Sequence, residues 1–153
     1  MKLDGTVSIA AGREKVYYSL IDPNLVSQCA PGLKSLEILE PGKRFRVVVG
    51  MGFGSVMVTF DVEIEFTRLT PPESASLKAH GKGSGNVVDV TSEMRLTEVE
   101  ANKTDLAWTA DIILGGTIAS LAARMMGGLT KKLTASFFDC FRQKIEESAG
   151  VKV

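Results

Sequence analysis

The side chains that most often carry enzyme chemistry are few in this chain and poorly spaced for it. His80 is the only histidine, and Cys29 and Cys140 show none of the C-x₂-C or H-E-x-x-H spacings that bind zinc. We therefore expect no metal site, and no motif suggests a cofactor. His80 alternates with Ala79 and Gly81, which favours an outward-facing surface histidine over a general base.

Two further patterns look catalytic but are better explained by structure. Residues 81–85 read G-K-G-S-G and superficially resemble a phosphate-binding loop, but a strand pattern follows them instead of a helix N-terminus that would meet an anion. We interpret them as a glycine-rich hairpin. Asp61, Glu63 and Glu65 alternate along one strand, so they face solvent together and do not converge in a cleft as glycosidase carboxylates must.

The elements that position these residues are predicted from hydrophobic periodicity. Residues 3–11 predict a strand; 13–20 and 22–29 predict two short helices, the second with Asp22 as N-cap and Pro23 at its first position. Strands follow at 34–39, 44–51, 55–69, 74–82, 86–98 and 104–114. A long helix is predicted from Thr117, as N-cap, to about residue 149, with Gly150 as its stop. We expect one domain, 1–149, and a short tail, 150–153.

Glycines gather where the predicted strands end. In an up-and-down meander alternate turns lie at the same end of the sheet, so the glycine clusters share one end and the turns at 41–42, 71–73 and 101–103 share the other. The glycine-rich end is small, uncharged and deformable. We predict that it forms the mouth of a cavity, at Gly52, Gly54, Gly83, Gly85, Gly115 and Gly116.

One inward strand face is small, since it carries Ala75, Leu77, Ala79 and Gly81. Two interpretations are open. Either the small face serves structure, by packing densely against large helix residues or by bending the sheet, or it leaves an apolar cavity under the last helix. In the cavity interpretation, leucine at Ala79 or Gly83 would fill the space. Tyr17 either supplies a phenol to the cavity or anchors its helix. The predicted ligand-binding residues are Tyr17, Phe53, Phe60, Leu77, Ala79, Met94, Trp108, Ile112, Leu121, Met125 and Leu129.

Gly127 and Gly128 interrupt the middle of the long helix. Two small residues can allow close packing on the sheet, or they can act as a hinge that lifts the first half of the helix from the mouth.

Charge and hydropathy restrict the partners. Eighteen basic residues balance 18 acidic ones, so no net field favours nucleic acid, anionic lipid or an acidic substrate. The start lacks the apolar run of a signal peptide, and the uncharged stretch 112–123 is shorter than the roughly 20 residues of a membrane span. We expect a cytoplasmic protein whose two cysteines are reduced and buried.

Short motifs in order along the chain resemble the CoxG family of carbon monoxide dehydrogenase subunits, within the START-like, or SRPBCC, superfamily. Asp22-Pro23, Cys29-Ala30-Pro31-Gly32 and Leu36-Glu37 resemble its D-P, C-x-P-G and L-E opening. Residues 79–83 resemble its A-x-G-x-G, residues 115–124 resemble its G-G-x-I-A-x-L-x-x-R, and Phe137-Phe138 match its paired phenylalanines.

The resemblance implies an α+β helix-grip fold, a seven-stranded antiparallel sheet wrapped around the long C-terminal helix. It also implies a non-enzymatic carrier or adaptor that holds a lipid- or quinone-like molecule and docks a molybdenum hydroxylase of the carbon monoxide dehydrogenase type. The chain ends at Val153, without the C-terminal extension of longer members, so transient contact at the inner face of the membrane is expected rather than a permanent anchor. The alternative is a START-like cyclase or aromatase, for which Tyr17, Asn86, Ser92 and Arg124 are the polar candidates.

Overall fold

The structure, a computed structural model, describes residues 1–53 and 55–150, with the side chains at 53, 121–123, 125–127, 129 and 148–150 outside the description. Seven strands and three helices follow in the order predicted. They are β1 (Lys2–Ile9), α1 (Arg13–Leu20), α2 (Pro23–Val26), β2 (Leu33–Glu40), β3 (Arg44–Phe53), β4 (Val56–Thr70), β5 (Ser74–Gly83), β6 (Asn86–Glu100), β7 (Lys103–Gly116) and α3 (Ala119–Gly150). Helix α2 is shorter than predicted, although Asp22 caps it by accepting a hydrogen bond from the Asn24 N–H.

The strands form one antiparallel sheet in the order β1-β7-β6-β5-β4-β3-β2. Strands β2 to β7 are a simple meander, so consecutive turns lie at opposite ends of the sheet and alternate turns share an end, as predicted. We call the end with the β3–β4 turn, the β5–β6 turn and the β7–α3 junction the glycine end, and the opposite one the proline end. Helix α3 contacts β1, β3, β7 and α1. This is the helix-grip fold that the sequence predicts.

The alternation along β4 shows why the sheet has this register. Val58, Phe60 and Phe66 are buried on the inner face. The carboxylates between them lie on the outer face, where cations of the neighbouring strands pair with them: Arg44 with Glu63 at 3.2 Å and Lys78 with Glu65 at 3.3 Å. A one-residue slip would bury these carboxylates.

The junction between β7 and α3 differs from the prediction. The sequence predicts Thr117 as N-cap, but the acceptor at the start of α3 is the buried side chain of Asn86. Its Oδ1 accepts hydrogen bonds from the Ile118 N–H at 3.0 Å and from the Thr117 hydroxyl at 2.9 Å, while its Nδ2 donates to the Ser84 carbonyl at 3.3 Å. Asn86 therefore ties the helix start to the β5–β6 turn.

The buried side chains form two clusters. The larger one joins α1, β1 and the second half of α3 to the sheet around Ala75, Leu96 and Leu106. The smaller one lies toward the glycine end and consists of Val58, Phe60 and Ile118.

The prediction of reduced cysteines is wrong in this structure. Cys29 and Cys140 form a disulfide, with Cα atoms 5.5 Å apart and 111 residues between them in sequence. A separation of 111 residues in sequence gives no indication of this pairing, but the fold packs the segment after α2 against α3. The disulfide closes this contact covalently.

Candidate functional site

Between the two clusters, the inner face of the sheet is apolar but only partly buried. The side chains concerned are Val47, Val62, Ile64, Leu77, Ala79, Val90, Met94 and Ile112. Side chains of this type are normally fully buried when a helix closes directly on a sheet. These side chains retain accessible surface, and in the described part of the chain α3 contacts the sheet mainly at β1, β3 and β7.

The predicted ligand-binding residues separate into groups. Leu77, Ala79, Met94 and Ile112 lie together on this accessible surface, and Phe60 lies beside it, 2% exposed in the smaller cluster. The remaining predictions fall outside the described residues and side chains. They concern Gly54, Gly127 and the side chains of Phe53, Leu121, Met125 and Leu129.

Tyr17 lies in the larger cluster with no exposed surface. Its hydroxyl donates a hydrogen bond to the Ser74 carbonyl at 3.0 Å. Burial raises the pKa of the phenol, a backbone hydrogen bond with Thr70 lowers it, and the neighbouring Tyr18 raises it further. In this position Tyr17 anchors α1 to the start of β5, and a ligand would meet it only by displacing core side chains.

Trp108 lies at the side of the molecule, away from the centre of the inner face. It pairs with Gly5 across β1 and β7, and its indole covers the glycine so closely that an added Cβ would lie 2.9 Å from Cζ2 and Nε1. Phe138 of α3 stacks on the same indole with ring centroids 6.1 Å apart. Sequence reasoning missed Gly5, because a glycine inside a strand signals close approach without naming the partner.

The glycines of the predicted mouth have a stricter role than deformability. A Cβ on Gly83 would overlap the Thr59 carbonyl oxygen, and Gly116, with φ of 98°, lies against the Gly85 carbonyl. A leucine at Gly83 would therefore disrupt the β4–β5 backbone pairing and would not simply fill a cavity. Ala79 stays the suitable position for that test.

Gly128 is exposed, and an added Cβ would meet no atom within 4 Å. Close packing therefore does not require glycine at this position. Helix α3 is continuous through it, so the hinge role of Gly127 and Gly128 stays a prediction.

The polar residues considered for catalysis have structural partners or are exposed. Asn86 fastens α3 as described, and the Ser92 hydroxyl donates to the Thr109 carbonyl at 2.8 Å. Arg124 is exposed. Together with Tyr17, these residues do not converge on one point of the inner face.

The outer face carries a ladder of paired charges. His80 is exposed there, as predicted, with Nδ1 2.6 Å from Asp89 Oδ1. Arg46 pairs with Asp61, and hydrogen bonding to the guanidinium lowers the pKa of the Asp61 carboxyl. These pairs leave His80 on the opposite side of the sheet from the accessible apolar surface.

Comparison with known proteins relates this geometry to a family. A model of the CoxG family of carbon monoxide dehydrogenase subunits matches residues 5–146. No match is found among curated proteins. In contrast, a conserved protein from Geobacillus kaustophilus has a similar structure, with 29% identity, 97% of each chain covered and a TM-score of 0.88.

Two more distant structures share the fold. The aromatase/cyclase ZhuI from Streptomyces sp. R1128 has 17% identity and a TM-score of 0.76, with 97% of this chain and 95% of that chain covered. A START superfamily protein from Mycobacterium smegmatis has 14% identity and a TM-score of 0.72, with 95% and 97% covered. At such identities the similarity establishes the START-like fold alone.

Proposed function

Because the chain belongs to the CoxG family of carbon monoxide dehydrogenase subunits, we propose that it is a carrier or adaptor that holds a lipophilic, lipid- or quinone-like molecule between its sheet and α3. The observation that carries this proposal is the partly accessible apolar surface around Leu77, Ala79, Met94 and Ile112. Binding of an apolar ligand would be favoured by roughly 25 cal/mol of free energy for each Å² of apolar surface that it removes from water.

The hydrogen bonds of the polar side chains favour binding over catalysis. A cyclase needs acid, base or hydrogen-bonding groups that converge on its substrate. Among the described residues, Tyr17, Asn86 and Ser92 are engaged in hydrogen bonds that hold the fold together. A cyclase or aromatase in the same cavity is the alternative, and it is supported by the fold that the chain shares with ZhuI.

The family name suggests the protein partner, a molybdenum hydroxylase of the carbon monoxide dehydrogenase type. Transient membrane contact forms a further part of the proposal. No helix in the described part of the chain is long and apolar enough to cross a bilayer. The glycine end nevertheless exposes Val56, Met57 and Ile113, by 43%, 72% and 63% respectively.

The charges near the glycine end fit the same proposal. Segments 50–60, 81–88 and 112–121, which form that end, contain no carboxylate. Lys82 lies within them, opposite Asp61 in the β4–β5 pair, and Lys34 lies beside them. Exposed apolar side chains next to lysines are typical of surfaces that contact anionic bilayers.

Native mass spectrometry of the protein from its own source, followed by lipid extraction, tests the carrier proposal. We expect a co-purifying lipid or prenylated quinone. Ala79→Leu should reduce the bound fraction by filling the inner face, at a cost of about 1–3 kcal/mol from overpacking. Ala107→Leu, the same change at an exposed position of β7, should leave the bound fraction of ligand unchanged. An aromatic polyketide would favour the cyclase, and equal ligand content in both variants would contradict the site.

A further inference from the structure

A second concave surface lies at the side of the molecule, between β1 and the second half of α3. This groove has a volume of about 530 Å³, within the range of sites that bind small molecules. Its sides are formed by Leu3, Gly5 and Val7 of β1 and by Lys131, Thr134 and Phe138 of α3, with Trp108 between them. We call it the β1–α3 groove.

The groove has an aromatic wall because of one glycine. Gly5 has no side chain, so the indole of Trp108 extends over β1 toward the edge of the sheet. Phe138 supports it from α3, with the two ring planes inclined by 27°. Stacked rings of this kind offer a flat apolar surface on which another planar ring can pack.

The groove contains three hydrogen-bond donors that have no partner among the described residues. Within the described part of the chain, the Trp108 indole N–H, the Thr134 hydroxyl and the Lys131 ammonium make no hydrogen bond or ion pair. Two carboxylates also line the groove: Asp139 faces Arg142 at 3.8 Å, and Asp4 is exposed on the opposite face of β1 from Leu3 and Gly5. An indole N–H and an ammonium can donate but cannot accept, so they select a ligand that presents an acceptor.

We propose that the β1–α3 groove is a second binding site, distinct from the surface under α3, for a planar aromatic carboxylate. The ring would pack on Trp108 and Phe138, and the carboxylate would accept hydrogen bonds from the Trp108 indole N–H and the Thr134 hydroxyl, with the Lys131 ammonium beside it. The site does not depend on the proposed carrier function, because none of the residues assigned to that function except Trp108 lines the groove.

The experiment uses 2-naphthoate as the probe and 2-methylnaphthalene as its analogue without an acceptor. Trp108 is the only tryptophan, so the ¹⁵N-labelled protein has a single indole N–H resonance that reports this hydrogen bond directly. We expect 2-naphthoate to move the resonance downfield at saturation, and 2-methylnaphthalene to cause a smaller shift without the downfield component. An equal shift with both compounds, or none with 2-naphthoate, would overturn the proposal.

Matched variants then locate the probe. Lys131→Gln should weaken 2-naphthoate binding about twofold to fivefold, as expected for an exposed charge, while Lys132→Gln on the adjacent exposed position should not. Thr134→Val should weaken it roughly threefold to tenfold. Ala79→Leu should have no effect. If Ala79→Leu weakens 2-naphthoate binding and Lys131→Gln does not, the probe binds under α3 and the groove site is refuted.

Discussion

At the scale of residues, the buried phenol of Tyr17 shows how one polar atom can belong to the core. Its hydroxyl satisfies the Ser74 carbonyl at the start of β5, so α1 and the sheet are joined without an unpaired buried group. Since burial disfavours the phenolate, the pKa of Tyr17 is raised in the folded protein. The stabilisation from this group is therefore fully present below the unfolded pKa of about 10 and is lost as pH rises through the folded value.

Urea unfolding between pH 7 and pH 11 tests this role. Tyr17→Phe should lower the free energy of unfolding by about 0.5–1.5 kcal/mol at pH 7, the net contribution of one hydrogen bond. Above pH 10 the wild type should lose stability more steeply than the variant, so the difference narrows. Tyr18→Phe, at a position that is 55% exposed, should match the wild type at pH 7. A difference between wild type and Tyr17→Phe that stays constant with pH would contradict the assignment.

At the scale of elements, the two parts of α3 are held differently. Phe141 and Ile145 are buried in the larger cluster, and the Cys29–Cys140 disulfide joins the same part to the segment after α2. The start of the helix is fastened at Ile118 by Asn86. Gly127 and Gly128 lie between these two attachments, which is where a hinge would let the first half of the helix move while the second half stays fixed.

Alanine substitutions separate a hinge from a neutral helix position. Gly128→Ala should raise the free energy of unfolding by up to about 1 kcal/mol, because the position is exposed and an added Cβ meets no neighbour. If the pair is a hinge, the double variant Gly127→Ala, Gly128→Ala should slow both ligand entry and release while the equilibrium affinity changes little. Stopped-flow mixing with an environment-sensitive fluorescent fatty acid measures both rates, because Trp108 lies away from the accessible apolar surface under α3 and lines the β1–α3 groove.

Ser136→Ala, an exposed change elsewhere on α3, serves as the control. Unchanged entry and release rates in a folded double variant would exclude the hinge.

At the scale of the whole molecule, the two ends of the sheet carry different surfaces although the net charge is zero. The glycine end combines Val56 and Met57 with Lys34 and Lys82, whereas the turns at the proline end carry both signs of charge, with Glu40 and Glu100 beside Lys43 and Lys103. We expect the glycine end, where exposed apolar side chains lie beside lysines, to be the end that faces an anionic bilayer, so that a lipophilic ligand could be exchanged at the predicted mouth.

Co-sedimentation with phosphatidylglycerol vesicles tests the orientation. Val56→Ser should weaken binding about fivefold, corresponding to roughly 1 kcal/mol for a partly inserted side chain. Val99→Ser removes an equally exposed valine, 45% against 43%, at the proline end and should have no effect. Equal losses in the two variants would contradict docking through the glycine end, and so would wild-type binding that is insensitive to salt.

Local patterns in the sequence were sufficient for the architecture. The alternation along β4 predicts which side chains face inward, Asp22-Pro23 predicts the start of α2, and the turn residues predict which turns share an end of the sheet. These features depend on neighbours in sequence, whose periodicity and backbone preferences are readable without the fold. The outward position of His80 follows from the same alternation.

The remaining features were decided only by tertiary structure, because each joins residues that are distant in sequence. The cap of α3 comes from Asn86, 32 residues before Ile118, and the disulfide spans 111 residues. The position of Trp108 depends on Gly5 in a strand at the other end of the chain. Periodicity indicates which face of a strand a side chain occupies, but the space left for it is set by the residue that the fold places opposite.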